Sequence, residues 1–363
     1  MTGKLTLRPL GIGGPAVGAA EGLPLAGGPL AFTACEAVLR DDGTEIARQV
    51  VPLTQVVDWA ERCGPGMAAA AETWLERLRA RRAPFAGITF DRPQVMGVIN
   101  VTPDSFSDGG DRFDTGKAIA DGLAMLEAGA AVLDVGGEST RPGADPVGEA
   151  EELRRVIPVV RALAEGGALV SIDTCHARVM AEALAAGARI VNDVTALVGD
   201  PRSLSVAAEA EVPVVLMHMQ GDPRTMQVDP TYDDAPLDVF DFLAARVEAC
   251  EAAGIRRARV AVDPGIGFGK TLDHNLQILD QLALYQGLGC PVLLGVSRKS
   301  FISRLSRGEP PKGRVPGSLA AAIAGLERGV QIIRAHDVAE TVQAITIWRA
   351  ITAAEAVDTV ATA

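Results

Sequence analysis

The residues best able to do chemistry in this chain form two sets, most of them at or just beyond the C-terminal end of a short apolar run. One set is Asp173, Asn192 and Asp263. Such carboxylates and amides suit a flat heterocycle with a donor-rich edge, because one carboxylate accepts two parallel N–H bonds. The other set is Asn100, Thr140, Arg141, Lys299, Arg334 and His336, whose cations and donors suit an anion such as diphosphate. Lys299 and Arg334 are the hardest to assign a structural role, since a cation at the end of a buried strand must find an anion or solvent. Other strand-end residues admit plainer readings. Asp134 and Asp193 stand where a carboxylate often caps the following helix. Met217 fits a core position. His176 and His274 fall at helix starts, as capping or surface residues.

No G-x-x-x-x-G-K-[ST] loop is present, which excludes a P-loop nucleotide site. GIGFGK, residues 265–270, follows a strand but lacks the G-x-G-x-x-G fingerprint and its acidic partner. It reads as a flexible active-site loop on which Phe268 offers an apolar face.

The elements that must position these groups are legible from Gln94 onward. Eight apolar runs, QVMGVIN, AVLDVGG, ALVSIDT, RIVNDV, VPVVLMH, ARVAVDPG, PVLLGVS and VQIIRAH, alternate with amphipathic stretches such as EAEELRRVIPVVRALAEG. Eight strands alternating with helices, and a last helix VAETVQAITIWRAITAA, predict an α/β protein built as a (β/α)8 TIM barrel; a doubly wound sheet is the alternative. In a parallel barrel all the strand C-termini point to one face, so residues distant in sequence converge there.

The first ninety residues read differently. Gly and Pro crowd residues 11–30, then FTACEAVLR, a DDG turn and TEIARQVVPL predict a hairpin, and TQVVDWAER and MAAAAETWLERLRARR predict helices. Residues 1–90 therefore read as a small N-terminal α+β extension of unknown role and 91–363 as the barrel; the alternative for the Gly/Pro-rich part is disorder. With hydrophobic residues at 48% and aromatics at 4%, the core must be built mainly from Ala, Val, Leu and Ile. A net charge of −12 argues against a nucleic-acid surface. Cys35, Cys63, Cys175, Cys250 and Cys290 are odd in number and scattered, which fits reduced thiols in a cytoplasmic protein. The start, MTGKLTLRPLGIGG, is not signal-like, and no apolar run is long enough to span a membrane.

The motifs MGVINVTPDSFSDGG, DVGGESTRPGA, SIDT, NDV, LMHMQG, DPGIGFGK, GVSRKS and IIRAHDV, in this order over about residues 94–350, resemble those of the dihydropteroate synthase family. The first two are long and specific. The resemblance implies a single-function bacterial enzyme that joins (7,8-dihydropterin-6-yl)methyl diphosphate to 4-aminobenzoate in folate synthesis. It implies a pterin pocket of Asp173, Asn192, Met217, Asp263 and Lys299, with Arg334 packed against the ring. Asn100 would bind Mg2+ together with the diphosphate, which Thr140, Arg334 and His336 also contact. The aminobenzoate would lie against Arg141, Pro142, Phe268, Lys299 and Ser300, under loops carrying Phe106 and Asp108. Asp108, Asp173, Lys299, Arg334 and His336 would be the catalytic residues.

The mechanism so implied is dissociative: diphosphate leaves the pterin methylene and the aniline nitrogen captures the cation. No insertion interrupts NDVTALVGDP, which points to a sulfonamide-sensitive enzyme. The family also implies a homodimer, for which the last helices, with Trp348 and an apolar face, offer a contact. Two other readings stand beside this one. A methyltetrahydrofolate methyltransferase-like barrel would share the Asp and Asn pterin contacts but not TPDSFSDGG, STRPGA or the SRKS and RAH cations. A pterin-binding module without catalysis would not need the loop motifs.

Overall fold

The computed structural model describes residues 3–15, 17, 22–101, 115–138, 147–222 and 224–354. The N-terminal part contributes β1 (Lys4–Leu10), β2 (Leu23–Pro24), β3 (Ala31–Phe32), β4 (Ala34–Asp41) and β5 (Thr44–Pro52), then α1 (Val56–Cys63) and α2 (Met67–Arg79). β4 and β5 form the expected antiparallel hairpin. Its turn residues Asp42 and Gly43 take φ of 47° and 79°, the left-handed pair a tight hairpin turn requires. β1 adds antiparallel to β4. Sequence reading misses this strand, because Arg8 and Pro9 break the apolar alternation of Leu5 and Leu7.

The barrel strands are β6 (Gln94–Asn100), β7 (Val132–Gly136), β8 (Val170–Asp173), β9 (Ile190–Asp193), β10 (Val214–Met217), β11 (Val260–Asp263), β12 (Leu293–Gly295) and β13 (Ile332–Ala335). They form one parallel sheet in the order β11-β10-β9-β8-β7-β6-β13-β12. A parallel bridge from Val262 to Val292 joins its two ends, so the sheet closes into a barrel and the doubly wound alternative falls. Helices α3 (Thr115–Glu127), α4 (Glu149–Glu165), α5 (Ala177–Ala185), α6 (Ser203–Glu209), α7 (Ala235–Ala252), α8 (Leu272–Asp280), α9 (Ser300–Leu305), α10 (Val315–Leu326) and α11 (Val338–Ala354) complete the α/β pattern. Local sequence sets several starts. Asp234 caps α7 by accepting from the Leu237 amide at 3.2 Å, and Thr271 and His274 form a reciprocal cap at α8, the role expected of His274.

Two apolar clusters hold the barrel. The larger lies between strands and helices and runs without a break into the N-terminal sheet. The smaller fills the inside of the barrel with Met96, Val132, Ile190, Val215, Ala261, Leu293 and Ile332, and Phe85 closes it from below with no exposed surface. These seven residues fix the site, because side chains on a strand repeat with period two. Two positions further along each strand, the inward side chains are Val98, Asp134, Asn192, Met217, Asp263, the hydrogen of Gly295, and Arg334. An apolar floor therefore gives way, within one step, to a mostly polar layer facing the open end.

Two expectations are corrected. Trp348 is not on a contact face. It is 8% exposed and borders a small cavity with Leu25, Leu30 and Leu326, leaving Ile347 and Ile351 as the exposed apolar residues of α11. The GIGFGK segment is not loose: Gly267 N–H donates to Asn275, Gln227 to the Gly267 carbonyl and Tyr232 to the Gly269 carbonyl, at 2.6–2.8 Å. Gly265, at φ 70°, packs so closely that a Cβ there would lie 1.9 Å from the His218 carbonyl oxygen. All five cysteines are free. Among the described residues, no helix is long and apolar enough to cross a membrane.

Candidate active site

At the open end of the barrel, Arg334 on β13 reaches towards β7 and β8. Its Nε donates to Asp134 Oδ2 at 2.7 Å and its second guanidinium nitrogen to Asp173 Oδ2 at 2.6 Å. Asn192 on β9 donates to the same Asp134 oxygen at 2.9 Å. Asp134 has no exposed surface, so the helix-cap reading is wrong for it. Its Oδ1 and the hydroxyl of Ser171, its register partner on β8, are buried and find no hydrogen-bond partner among the described residues. Unsatisfied buried acceptors are costly, and a ligand presenting N–H groups would satisfy them. The sequence reading does not place Asp134 in the site; the signal is its inward position two residues above the buried Val132. Asp193 is the contrary case. Its carboxylate takes the Thr195 amide and hydroxyl, both at 2.7 Å, and the Leu197 amide at 3.1 Å, so it caps the turn after β9 rather than the following helix, which starts only at Ser203.

Electrostatics follow from this crowding. Burial pushes the Asp173 carboxyl up to about 7; Arg334 opposes the rise and Asp134 adds to it. Burial likewise raises Asp263, with Lys299 opposing. The guanidinium of Arg334 stays charged, because its two carboxylate partners outweigh its desolvation.

On the other side of the mouth, Asp263 Oδ2 and Lys299 Nζ each stand 3.8 Å from where a Cβ on Gly295 would be, so the absent side chain leaves room between them. Asp263 Oδ1 accepts from the Gly265 amide at 2.7 Å. Lys299 Nζ donates to the Ile266 carbonyl and lies 4.7 Å from the centre of the Phe268 ring, a cation–π geometry. Burial lowers Lys299 to about 8, with Asp263 opposing and Arg334 adding. Met217 ends β10 in register with Asp263, buried. Ser300 is exposed at the first turn of α9.

A third group lies at the ends of β6 and β13. Asn100 Nδ2 is 3.5 Å from His336 Nε2, and His336 Nδ1 is 3.0 Å from Ser297 Oγ. With its nitrogen turned to His336, the Asn100 amide presents a hard oxygen, the donor type Mg2+ takes when phosphates and water complete its shell. The structure thus brings Asn100, Asp173, Asn192, Met217, Asp263, Phe268, Lys299, Arg334 and His336 to one end of the barrel, with Ser300 beside it. Phe106, Asp108, Thr140, Arg141 and Pro142 lie outside the described residues.

Sequence reading also misses Lys270. Fully buried, its amine lies 2.9 Å from His218 Nδ1 and donates to the Phe268 carbonyl at 2.9 Å. Burial first, then Lys270, pushes His218 down to about 3, so the imidazole is neutral and accepts. The only signal in the sequence is a lysine ending an otherwise apolar glycine-rich segment.

Comparison with known proteins agrees with this geometry. The pterin binding enzyme family matches residues 96–336. Dihydropteroate synthase of Escherichia coli (strain K12) is 46% identical over 269 residues, 74% of this chain and 95% of that protein. The structure of Xanthomonas albilineans dihydropteroate synthase with 4-aminobenzoic acid superposes with a TM-score of 0.71 at 49% identity, covering 75% of this chain and 98% of the other. The same enzyme in complex with 7,8-dihydropteroate gives 0.68 at 46%, covering 75% and 99%. The chain belongs to the pterin-binding enzyme family, among its dihydropteroate synthases.

Proposed function

We propose that the chain condenses (7,8-dihydropterin-6-yl)methyl diphosphate with 4-aminobenzoate, giving 7,8-dihydropteroate and diphosphate. The observation that carries this is the network of Asp134, Asp173, Asn192 and Arg334, with unsatisfied polar groups in the layer above the apolar floor and cations at the rim. Relatives solved with 4-aminobenzoic acid and with 7,8-dihydropteroate supply the two ends of the reaction.

Residue roles follow those the family resemblance implies, and the site chemistry is compatible with them. Asp173, Asn192 and Asp263 accept from the pterin amide and amine edge, Met217 packs on the ring, and Arg334 lies against it. Lys299 and Phe268 bound the space next to the reacting methylene, where 4-aminobenzoate enters beside Ser300, Arg141 and Pro142. Arg334, His336 and Thr140 donate to the diphosphate, and Asn100 would hold Mg2+. When bound, Mg2+ contributes neutralisation of charge on the leaving group. As the methylene–oxygen bond breaks, Asp173 and Asp108 stabilise the cationic pterin. The neutral aniline nitrogen attacks without a strong base and loses its proton afterwards. The enzyme acts in the cytoplasm, where its five thiols stay reduced. We also propose a homodimer in which Ile347 and Ile351 of α11 are covered, testable by light scattering before and after their replacement by Lys.

The test is product formation by the purified protein with Mg2+, each substrate being withheld in turn. Dihydropteroate that requires both substrates is expected. Tight pterin binding without product would overturn the assignment and favour a binding module or a methyltransferase-like barrel.

A further inference from the structure

Outside the pocket just described, the β7–α4 and β8–α5 connections bring together Glu138, Cys175 and His176. One carboxylate oxygen, the sulfur and one ring nitrogen all lie within 4.8 Å of one another. All three residues are half-buried. In a tetrahedral zinc site with bonds of about 2.0–2.3 Å, ligand atoms are about 3.4–3.8 Å apart, so modest side-chain rotation closes the set.

The surroundings are those of a prepared site. His176 Nδ1 is held at 2.7 Å by Glu152, whose side chain is fully buried. This leaves Nε2 to ligate, and a carboxylate on the opposite nitrogen is the usual support for a metal-bound histidine. Glu138 is steadied from both sides: its Oε1 accepts the Val147 amide at 3.1 Å, and Arg155 holds the preceding Gly137 carbonyl at 2.8 Å. The Cys175 carbonyl accepts from Ser203 at 3.2 Å, and the Thr174 hydroxyl accepts the His176 amide at 3.2 Å. Burial, with Asp193, Glu138 and Glu152 adding, pushes the Cys175 thiol up to about 12, and a bound divalent cation would offset these carboxylates and favour the thiolate.

We propose that Glu138, Cys175 and His176 form a transition-metal site for Zn2+ or a similar borderline-soft cation, supported by Glu152 and distinct from the Mg2+ position at Asn100. A thiolate–imidazole–carboxylate set prefers Zn2+ or Co2+ to Mg2+. At a pH where the His176 imidazole is already neutral, binding forms the metal–sulfur bond as the Cys175 S–H proton leaves to solvent, one proton per ion. The ion ties the β7–α4 connection to the residue two beyond Asp173, so it acts as a clamp on strand ends that shape the pocket.

The experiment uses full-length protein stripped with a chelator and titrated with Co2+ in the presence of excess Mg2+. One equivalent of Co2+ is expected to produce a thiolate-to-cobalt charge-transfer band, which Zn2+ then bleaches, with release of one proton per ion. Cys175→Ser should abolish the band, His176→Gln should weaken binding at least about tenfold, and Cys63→Ser should change neither. Circular dichroism of each variant reports folding, and the wild-type stoichiometry and proton count stand independently of the variants. Absence of the band in the wild type, its suppression by Mg2+, or its persistence in Cys175→Ser would overturn the proposal.

Discussion

Arg334 and Asp173, 161 positions apart in sequence and three strands apart in the sheet, meet at 2.6 Å at the mouth of the barrel. The guanidinium also holds Asp134, so Asp173 is oriented by a cation whose own place is secured elsewhere. Asp173→Asn keeps the shape and leaves the Arg334–Asp134 pair intact, but removes the negative charge facing the pterin. The kcat for dihydropteroate formation should fall by about 10²–10³, the usual scale for one lost electrostatic contact to a developing charge. A variant with near wild-type kcat would refute the role given to Asp173.

The same carboxylate sets a pH dependence. Asp173 is raised to about 7 and is charged only above it; Lys299 is lowered to about 8 and is charged only below it. If both must be charged, kcat/KM for the pterin diphosphate rises through pH 7 and falls through pH 8, a narrow bell. Profiles of wild type and Asp173→Asn would check this. Loss of the acid limb in the variant is expected, and an unchanged acid limb would assign it to another group.

These two relationships mark what a sequence can and cannot convey. The apolar runs end in polar residues that a parallel barrel turns to one face, so Asp173, Asn192, Asp263 and Arg334 group together from their positions in the chain alone. Such a pattern says nothing about depth. Asp134 sits one step lower than Asp173, and only the register of β7 against β8 shows that its carboxylate lies beneath Arg334 rather than over the next helix. Trp348 is misjudged for a related reason. The helical pattern of α11 is apolar over much of its circumference, so it does not reveal which stripe the N-terminal residues Leu25 and Leu30 cover. β1 is hidden because its partner, β4, is a distant hairpin strand, and pairing supplies what local propensity does not.

Lys270 should matter through its hydrogen bonds. Lys270→Met preserves volume but leaves His218 Nδ1 and the Phe268 carbonyl without their donor. Each buried orphan costs about 1–3 kcal/mol, so the urea midpoint should drop. The segment carrying Phe268 would loosen, raising KM for 4-aminobenzoate more than it lowers kcat. Combining it with His218→Phe removes one orphan and should recover part of the stability. An unchanged midpoint in the single variant would show that the buried amine is not paired as described.

The N-terminal segment and the barrel should unfold together. Trp74 on α2 stacks on Phe240 of α7 with ring centroids 5.1 Å apart, and Phe240 stacks in turn on Tyr285 at 6.4 Å. The indole presses so closely on the 3-10 turn at 282–288 that a Cβ on Gly287 would lie 1.8 Å from it. Ion pairs from Lys4 and Arg40 to Asp241 follow the same seam. The half-exposed Lys4 pair contributes little, the buried Arg40 pair offsets its own desolvation rather than adding net stability, and the aromatic contact carries the coupling. Trp74→Ala should therefore cost about 3–5 kcal/mol in one cooperative urea transition reported alike by barrel and N-terminal probes. Gly287→Ala should be destabilising in the wild type and tolerated in Trp74→Ala, because the clash goes with the indole. Two separate transitions, or a cost near zero, would mean that the extension is a dispensable passenger on the barrel.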